Sequence, residues 1–300
     1  MSTTATLPRV DAEQIEVFAD ELDVQKAARI FDEHGCLVVR GLLKEYVDDI
    51  REDILRTVDQ SISLLPKARK VVEGWSTPDG SLFLPAPEGY DREQQIMCVG
   101  INYQTSGAFF RSALDKNLLS IIEGLLGPNV EIFGNGQSLC KEPVGGHPKL
   151  LHQDSAYFEH QHIGPVAILT YGVDTALKNG ALHVVPGSFK LGTLPHIDTF
   201  SHLGLDPEEW PWERATPIEG KAGDSIFFHV RCIHGSPENH SDSRRPIFIH
   251  RYRCTDDFVT VGGTTTENRA ERAKNPSKKK SRSDRGLLVC GFREYEDEEA

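Results

Sequence analysis

Apolar residues in the first part of the chain recur mostly at helical spacing. Segments 11–21 and 24–34 each predict a helix, and the second is predicted to stop at Gly35. Two more helices are predicted over 46–65 and 109–126. The run CLVVRGLL, which begins at Cys36, predicts a strand, and the Gly- and Pro-rich segment 74–91 predicts a long loop.

From Val130 onward the pattern changes to short apolar runs separated by turn residues. Seven such runs follow one another: VEIFG, QSLCKE, KLLHQD, VAILTYGV, ALHVVPG, DSIFFHV and PIFIHRY. Many short strands with Gly and Pro turns predict an all-β barrel or jelly roll. We therefore expect one mostly β domain over 1–266 with flanking N-terminal helices. Segment 267–300 is predicted to be a flexible charged tail or a cap over a pocket.

Composition narrows the classes of partner. A chain of 300 residues with 38% hydrophobic content can bury a sizeable core. Its net charge of −12 gives no overall positive field for nucleic acid or anionic membranes, so a small-molecule substrate is expected. The start lacks a signal-peptide pattern, and six well-separated cysteines indicate free thiols in a reducing compartment. These features predict a cytoplasmic protein; the oligomeric state is not predicted.

Two short motifs carry the candidate chemistry. In the strand that ends LLHQD, His152 and Asp154 lie two positions apart and share one face. His234 follows 80 positions after Asp154, directly behind another strong strand pattern. Two imidazoles and one carboxylate on one side of an ion form the facial triad of iron(II) oxygenases, which leaves open positions for other ligands. A second pair, His160-x-His162, is a weaker candidate because it has no carboxylate partner on a clear strand.

An arginine behind His234 fits a dicarboxylate. Arg245 lies eleven residues after His234 and opens the next strand, so a short turn would bring it back towards the metal. Its planar, charged guanidinium suits the far carboxylate of 2-oxoglutarate. Ser236 could add a hydroxyl contact. Arg244 is the adjacent alternative, but strand alternation lets only one of the two face the cavity.

The motifs together resemble the phytanoyl-CoA dioxygenase family. The resemblance spans roughly residues 25–255 and rests on these pieces: EHGCLVVRGLL, His152-Gln153-Asp154-Ser155, Asn179-Gly180-Ala181-Leu182, Val185-Pro186-Gly187-Ser188-Phe189, Gly223-Asp224, His234-Gly235-Ser236, Asn239, Arg245 and Tyr252. It implies the double-stranded β-helix, a cupin-like jelly roll. The chain departs from the family in having Phe189 where many relatives have His, which we expect to affect packing only.

The resemblance also implies the roles of the site residues. His152, Asp154 and His234 would bind Fe(II), and Arg245 would anchor 2-oxoglutarate. Thr170 is the best match for a further family residue near the cosubstrate. The implied reaction consumes O2, with ascorbate supportive, and releases succinate and CO2 as a small metabolite is hydroxylated or desaturated. Halogenation is not expected, because related halogenases replace the residue matching Asp154 with a small one.

Several points stay open at this stage. Gln137, Lys141 and Tyr157 are candidate substrate contacts. The substrate is predicted to belong to specialised biosynthesis, with an acyl-CoA of the phytanoyl type as an alternative. A catalytically silent jelly roll that keeps its metal site is the alternative from a different class. A cupin-type enzyme that uses the metal without 2-oxoglutarate would have no need of Arg245.

Overall fold

The computed structural model describes residues 7–72, 74–199, 202–262 and 285–294. In these ranges the α-helices are α1 (Val24–His34), α2 (Val47–Leu64), α3 (Gly107–Ser112) and α4 (Lys116–Leu126). The strands of the N-terminal half are β1 (Glu16–Phe18), β2 (Cys36–Arg40), β3 (Arg69–Val71), β4 (Gly74–Ser76), β5 (Leu82–Pro85), β6 (Gln94–Val99), β7 (Val130–Ile132), β8 (Gln137–Lys141) and β9 (Lys149–His152).

The C-terminal half is almost entirely strand and turn. Its strands are β10 (Phe158–His160), β11 (Val166–Tyr171), β12 (Leu182–Val185), β13 (Ile197–Asp198), β14 (Leu203–Gly204), β15 (Thr216–Ile218), β16 (Ser225–Phe228), β17 (Ile233–Ser236), β18 (Arg245–Cys254), β19 (Val259–Gly262) and β20 (Leu287–Cys290). The predicted change of character near Val130 is therefore present in the structure.

Two sheets form the jelly roll. The larger has the strand order β1-β2-β16-β11-β18-β8-β6-β5-β4-β3, and β7 and β20 extend it from β18. The smaller has the order β15-β12-β17-β9. One apolar cluster fills the space between them, with Leu169 and Ile247 from the larger sheet and Val184 and Ile218 from the smaller. Such face-to-face packing of two sheets buries the inner face of each.

The helices cover the outer face of the larger sheet. Ile50 and Ile54 of α2 and Ile121 of α4 pack in one cluster with Ile168 and Phe248 of the sheet. Because side chains alternate along a strand, Ile168 of β11 faces the helices while its neighbour Leu169 faces the inside of the sandwich. The predicted mostly β fold with flanking helices is confirmed.

Helix α1 ends where the sequence predicts. Gly35 adopts a left-handed conformation with φ of 67°, which a glycine tolerates best. A Cβ at this position would also meet the ring of Phe189 at 2.4 Å. Phe189 therefore packs on the end of α1, in keeping with the packing role expected from its departure from the family pattern.

Three predicted elements were wrong in type or extent. Segment 11–21 is not one helix: two short 3-10 helices, Ala12–Ile15 and Ala19–Glu21, flank β1, which pairs in parallel with β2. Segment 109–126 is two helices, because the Asp115 side chain accepts hydrogen bonds from the first backbone amides of α4. Segment 74–91 is not a single loop, since β4 and β5 add a hairpin to the larger sheet.

The end of the chain belongs partly to the sheet. Leu287–Cys290 pairs with Val130–Ile132 as an added edge strand. Arg293 and the buried Arg253 both contact Glu131, at 2.6 and 2.8 Å. The predicted boundary at 266 therefore does not separate all of 267–300 from the domain, and residues 267–284 lie outside the described residues. No helix in the described ranges has the length and apolarity to cross a bilayer.

Candidate metal and cosubstrate site

Three side chains from two neighbouring strands meet at one point inside the sandwich. His152 ends β9, His234 lies in β17, and the two are direct partners across the antiparallel pair. Asp154 begins the short 3-10 turn Asp154–Ala156 immediately after β9. Its Oδ1 lies 3.9 Å from Nε2 of His152 and 3.8 Å from Nε2 of His234. One possible ligand atom from each residue lies within 4.8 Å of the others, close enough for a single ion.

Hydrogen bonds fix the orientation of both imidazoles. Nδ1 of His152 lies 2.8 Å from the carbonyl of Leu150, and Nδ1 of His234 lies 2.9 Å from that of Cys232. Because a carbonyl only accepts, each Nδ1–H donates and each Nε2 keeps a lone pair that points towards Asp154. Burial lowers the pKa of both histidines, which favours the neutral imidazole that a metal requires.

Gln153, which lies between the ligands His152 and Asp154, fixes the turn that carries them. Gln153 is buried, and its side-chain NH2 donates to the carbonyls of Gly192 and Arg231 at 2.9 and 2.7 Å. Its side-chain oxygen accepts from the amide of Leu194, and its own backbone amide donates to Nε2 of His196 at 2.9 Å. Gln153 thus ties the metal-binding turn to the loop that follows β12.

The ligands open into a cavity of about 490 Å³. This is within the usual size of small-molecule sites, roughly 300–1,000 Å³. Arg245, on β18 of the opposite sheet, is buried and lines the same cavity. Its Nη2 donates to the carbonyl of Gly180, and burial lowers the pKa of the guanidinium. Arg244 points elsewhere, since its Nη1 donates to Asp59 at 2.7 Å.

The structure brings most of the other candidates to this cavity as well. Ser236, Gln137, Lys141 and Tyr157 all line it. Nζ of Lys141 donates to the carbonyl oxygens of Ser236, at 2.9 Å, and Pro237. Lys141 is buried. The hydroxyl of Tyr157 accepts from the amide of Leu203 at 2.8 Å, beside the metal-binding turn.

Thr170 does not reach the site. Along β11, Leu169 lines the cavity, so the alternating Thr170 lies on the helix-facing side. Its hydroxyl is buried and lies 2.8 Å from that of Ser225. The assignment of Thr170 to the cosubstrate is therefore corrected: Thr170 is adjacent to the cavity-facing Leu169, and adjacent side chains of a strand point to opposite faces.

Two cationic residues of the cavity were missed. Arg245, Ile247, Ile249 and Arg251 of β18 all line the cavity, so alternation from Arg245 was a signal that pointed to Arg251. Lys149 had no such signal. It lies three positions before His152, yet it faces the same cavity because a register irregularity lies between the His234–His152 and Ser236–Lys149 pairs.

The donor set fits iron(II). Two neutral imidazoles and one carboxylate on one side of an ion are the ligands of non-haem iron oxygenases. All three residues are buried, and the carboxylate presents one oxygen to both imidazoles. The buried Arg245 in the same cavity supplies the cation that a dicarboxylate cosubstrate needs.

Curated proteins similar to the chain are oxygenases by name. A probable alpha-ketoglutarate-dependent hypophosphite dioxygenase of Stutzerimonas stutzeri is 28% identical over 156 residues, which are 49% of this chain and 53% of that protein. The chain thus aligns with only about half of that relative's length. The peroxisomal phytanoyl-CoA dioxygenase of Rattus norvegicus is 26% identical over 259 residues, covering 80% of this chain and 71% of the rat protein.

Solved structures share the fold. The non-haem alpha-ketoglutarate-dependent epimerase SnoN from nogalamycin biosynthesis has a TM-score of 0.62 at 18% identity, over 91% of this chain and 98% of SnoN. EctD from S. alaskensis has a TM-score of 0.57 at 20% identity, over 84% of this chain and 85% of EctD. The family model "Phytanoyl-CoA dioxygenase (PhyH)" matches residues 31–247. The chain therefore belongs to the phytanoyl-CoA dioxygenase family.

Proposed function

We propose that the protein is an iron(II)- and 2-oxoglutarate-dependent dioxygenase that hydroxylates or desaturates a small organic molecule. One observation carries the proposal: the three metal-ligand atoms lie within 4.8 Å of one another at a cavity that Arg245 also lines. The names of the relatives support it, since one is called alpha-ketoglutarate-dependent and others are called phytanoyl-CoA dioxygenases. Arg245 disfavours both the silent binding protein and the cupin-type enzyme, because neither needs a buried guanidinium there.

Some residues of the cavity would bind the iron and the cosubstrate, and others exclude water. His152, Asp154 and His234 would hold the iron, which when bound supplies the oxidising chemistry that converts 2-oxoglutarate and O2 to succinate, CO2 and oxidised substrate. Arg245 would bind the far carboxylate of 2-oxoglutarate, with Ser236 beside it. The apolar walls Leu169, Phe228 and Ile249 keep water from this end of the cavity.

The proposal also covers the type of reaction, the class of substrate and the cellular location. Because the carboxylate of Asp154 occupies the third ligand position, the site favours hydroxylation or desaturation over halogenation. The cavity size fits a metabolite of specialised biosynthesis. The basic run KKKSR at 278–282 would favour the acyl-CoA alternative, and it lies outside the described residues. A reducing, cytoplasmic location is part of the proposal, and the six free cysteines support it.

A succinate-release screen tests the function. The protein is incubated with Fe(II), ascorbate, 2-oxoglutarate and O2 over a metabolite library, and succinate is measured for each compound. At least one compound should raise succinate release above the substrate-free rate. The mass of that compound should increase by an oxygen atom if it is hydroxylated, or decrease by a pair of hydrogen atoms if it is desaturated. Asp154→Ala should abolish this and Arg244→Gln should retain it. No succinate from the parent protein with any compound or without one would contradict the proposal.

A further inference from the structure

The cavity has a charge opposite to that of the whole chain. Four basic side chains line it, from Lys141, Lys149, Arg245 and Arg251, against the single carboxylate of Asp154. The protein as a whole carries −12. Buried charges are costly unless something balances them, so this excess of cations indicates that the cavity accepts anions.

One pair of cations has a place at the cosubstrate end. Arg245 donates to the carbonyl of Gly180, and Lys141 donates to the carbonyls of Ser236 and Pro237. Arg245 is also the partner of Lys141 in the β18–β8 pairing. Both side chains therefore lie at the end of the cavity where the proposed function puts the far carboxylate of 2-oxoglutarate. Burial lowers the pKa of Lys141, so the single charge of the far carboxylate is balanced chiefly by Arg245. Lys149 and Arg251 line the same cavity.

Arg251 lies against the metal-binding carboxylate and has unused donor capacity. Its Nη2 donates to Oε1 of Gln137 at 3.1 Å and lies 3.7 Å from Oδ2 of Asp154. Its Nε is buried and has no hydrogen-bond partner among the described residues. Buried donors in native proteins are nearly always paired, so this N–H calls for an acceptor that arrives with a ligand.

Lys149 brings a second cation to the same part of the cavity. Burial lowers its pKa, while the nearby Cys98 and Asp154 act in the opposite direction. An anionic ligand at this place would favour the protonated amine and so offset part of the cost of its burial. Lys149 is the partner of Ser236 in the β9–β17 pairing, two positions from His234, and Arg251 lies 3.7 Å from Asp154. An anion bound by both would therefore lie next to the metal ligands.

The rest of this region is apolar. Leu82, Met97, Phe133 and Phe158 line the cavity together with the body of Tyr157. Such walls suit a hydrocarbon portion and would not hold a second charge.

We propose that the substrate is a small amphiphilic anion whose carboxylate or phosphoryl group is bound by Lys149 and Arg251, with its carbon body against these apolar walls. This inference rests on the proposed function, since it assigns Arg245 to 2-oxoglutarate. It adds the chemical class of the substrate and two residues that select it.

Binding of matched probes tests the charge preference. The anaerobic Fe(II)·2-oxoglutarate form of the protein is titrated by calorimetry with straight-chain carboxylates of four to ten carbons, the corresponding phosphonates, primary amides and amines. The weak visible charge-transfer band of the complex is followed in parallel, so that displacement of 2-oxoglutarate is detected. At the best chain length, an anion should bind at least about tenfold more tightly than the amide of equal length.

Lys149→Met is the informative variant, because methionine keeps much of the length and removes the charge. It should reduce the ratio of anion to amide affinity to about threefold or less, given the strength of a charge-assisted hydrogen bond. Lys67→Met is the matched control: Lys67 is exposed, does not line the cavity, and its loss should leave the ratio as in the parent.

The outcomes separate this inference from the proposed function. If the charge-transfer band forms but the probes show no preference for anions, or none of them binds, the proposal of an anionic substrate is overturned. The proposed oxygenase function is not contradicted by that result. A preference that survives in Lys149→Met overturns the assignment of this residue. Absence of the band in the parent protein would instead contradict the proposed function itself.

Discussion

Arg251 Nη2 lies 3.7 Å from Oδ2 of Asp154, whereas Oδ1 of the same carboxylate approaches both histidines. The carboxylate is thus shared between a guanidinium on the larger sheet and a metal site on the smaller one. We expect the arginine to restrict rotation of this carboxylate and to leave Oδ1 for the ion. Partners of this kind orient metal ligands without touching the metal.

Replacing this arginine should weaken metal binding. Arg251→Gln is expected to raise the Fe(II) dissociation constant by about 10–100-fold, the usual cost of losing such a partner. Anaerobic titration monitored by calorimetry measures it, and circular dichroism checks that the fold is kept. Unchanged Fe(II) affinity in a folded Arg251→Gln protein would show that the contact with Asp154 has no orienting role.

Substitutions of the two adjacent arginines should differ in their effect on the KM for 2-oxoglutarate. Arg245 lies in the cavity and Arg244 bonds to Asp59, so only the first can hold the cosubstrate. Arg245→Gln should raise the KM for 2-oxoglutarate by about 10–100-fold, since a charge-assisted hydrogen bond contributes about 1.5–3 kcal/mol. Arg244→Gln is the control and should change this KM less than about twofold. Equal effects of the two substitutions would refute the assignment.

Gln153 should matter for metal affinity although it cannot bind the metal itself. Its amide bonds to three backbone groups hold the turn between His152 and Asp154. Gln153→Leu leaves these buried groups unpaired, at a cost of about 1–3 kcal/mol for each. We expect a lower urea midpoint and a Fe(II) dissociation constant raised by about tenfold or more. A destabilised protein that binds Fe(II) as tightly as the parent would limit Gln153 to a structural role.

Acid should destabilise the fold partly through His250. Burial lowers the pKa of this imidazole to about 3, and it lies between the hydroxyls of Tyr103 and Ser112 at 2.8 and 3.0 Å. In the unfolded chain a histidine titrates near 6.5, so the unfolded state binds the proton first and stability is lost as pH falls from about 6.5 towards 3. Each such group contributes a slope of up to about 1.4 kcal/mol per pH unit.

Urea unfolding of the metal-free protein at several pH values between about 6.5 and 4.5 measures that slope. His250→Gln keeps a polar amide beside the two hydroxyls and removes the titrating group. Its stability should fall less steeply with pH, by up to the slope that one proton contributes. The remaining slope includes His160 and His202, whose pKa values burial also lowers to about 3, and the buried ligands His152 and His234. Identical slopes would mean that His250 takes up its proton in the folded state as well.

The strands and the shared face of His152 and Asp154 were within reach of the sequence through local periodicity. The resemblance to the family singled out His234 and Arg245 as their partners. Once Arg245 faces the cavity, alternation places Ile247, Ile249 and Arg251 there as well, and the β-branched runs after Val130 match the observed strands. The local pattern did not predict elements whose structure depends on the strand they pair with. Glu16–Phe18 is a strand because β2 lies beside it and Arg40 pairs with Glu16 at 2.8 Å.

Other features depend on contacts that no short window contains. The register irregularity that turns Lys149 into the cavity arises from pairing between β9 and β17. Thr170 was misassigned because the face of β11 is set by which sheet lies opposite, and a shift of one position reverses the direction of a side chain. The edge strand Leu287–Cys290 depends on its pairing with β7, which is far away along the chain.

The central claim is that His152, Asp154, His234 and Arg245 form one site for iron(II) and 2-oxoglutarate. Anaerobic addition of both to the purified protein tests it most directly, with the visible spectrum recorded at each addition. We predict one equivalent of each bound and a weak charge-transfer band that appears only when both are present, and that is absent in His234→Ala. A protein that binds the two independently, or gives the same spectrum with and without 2-oxoglutarate, would contradict the account.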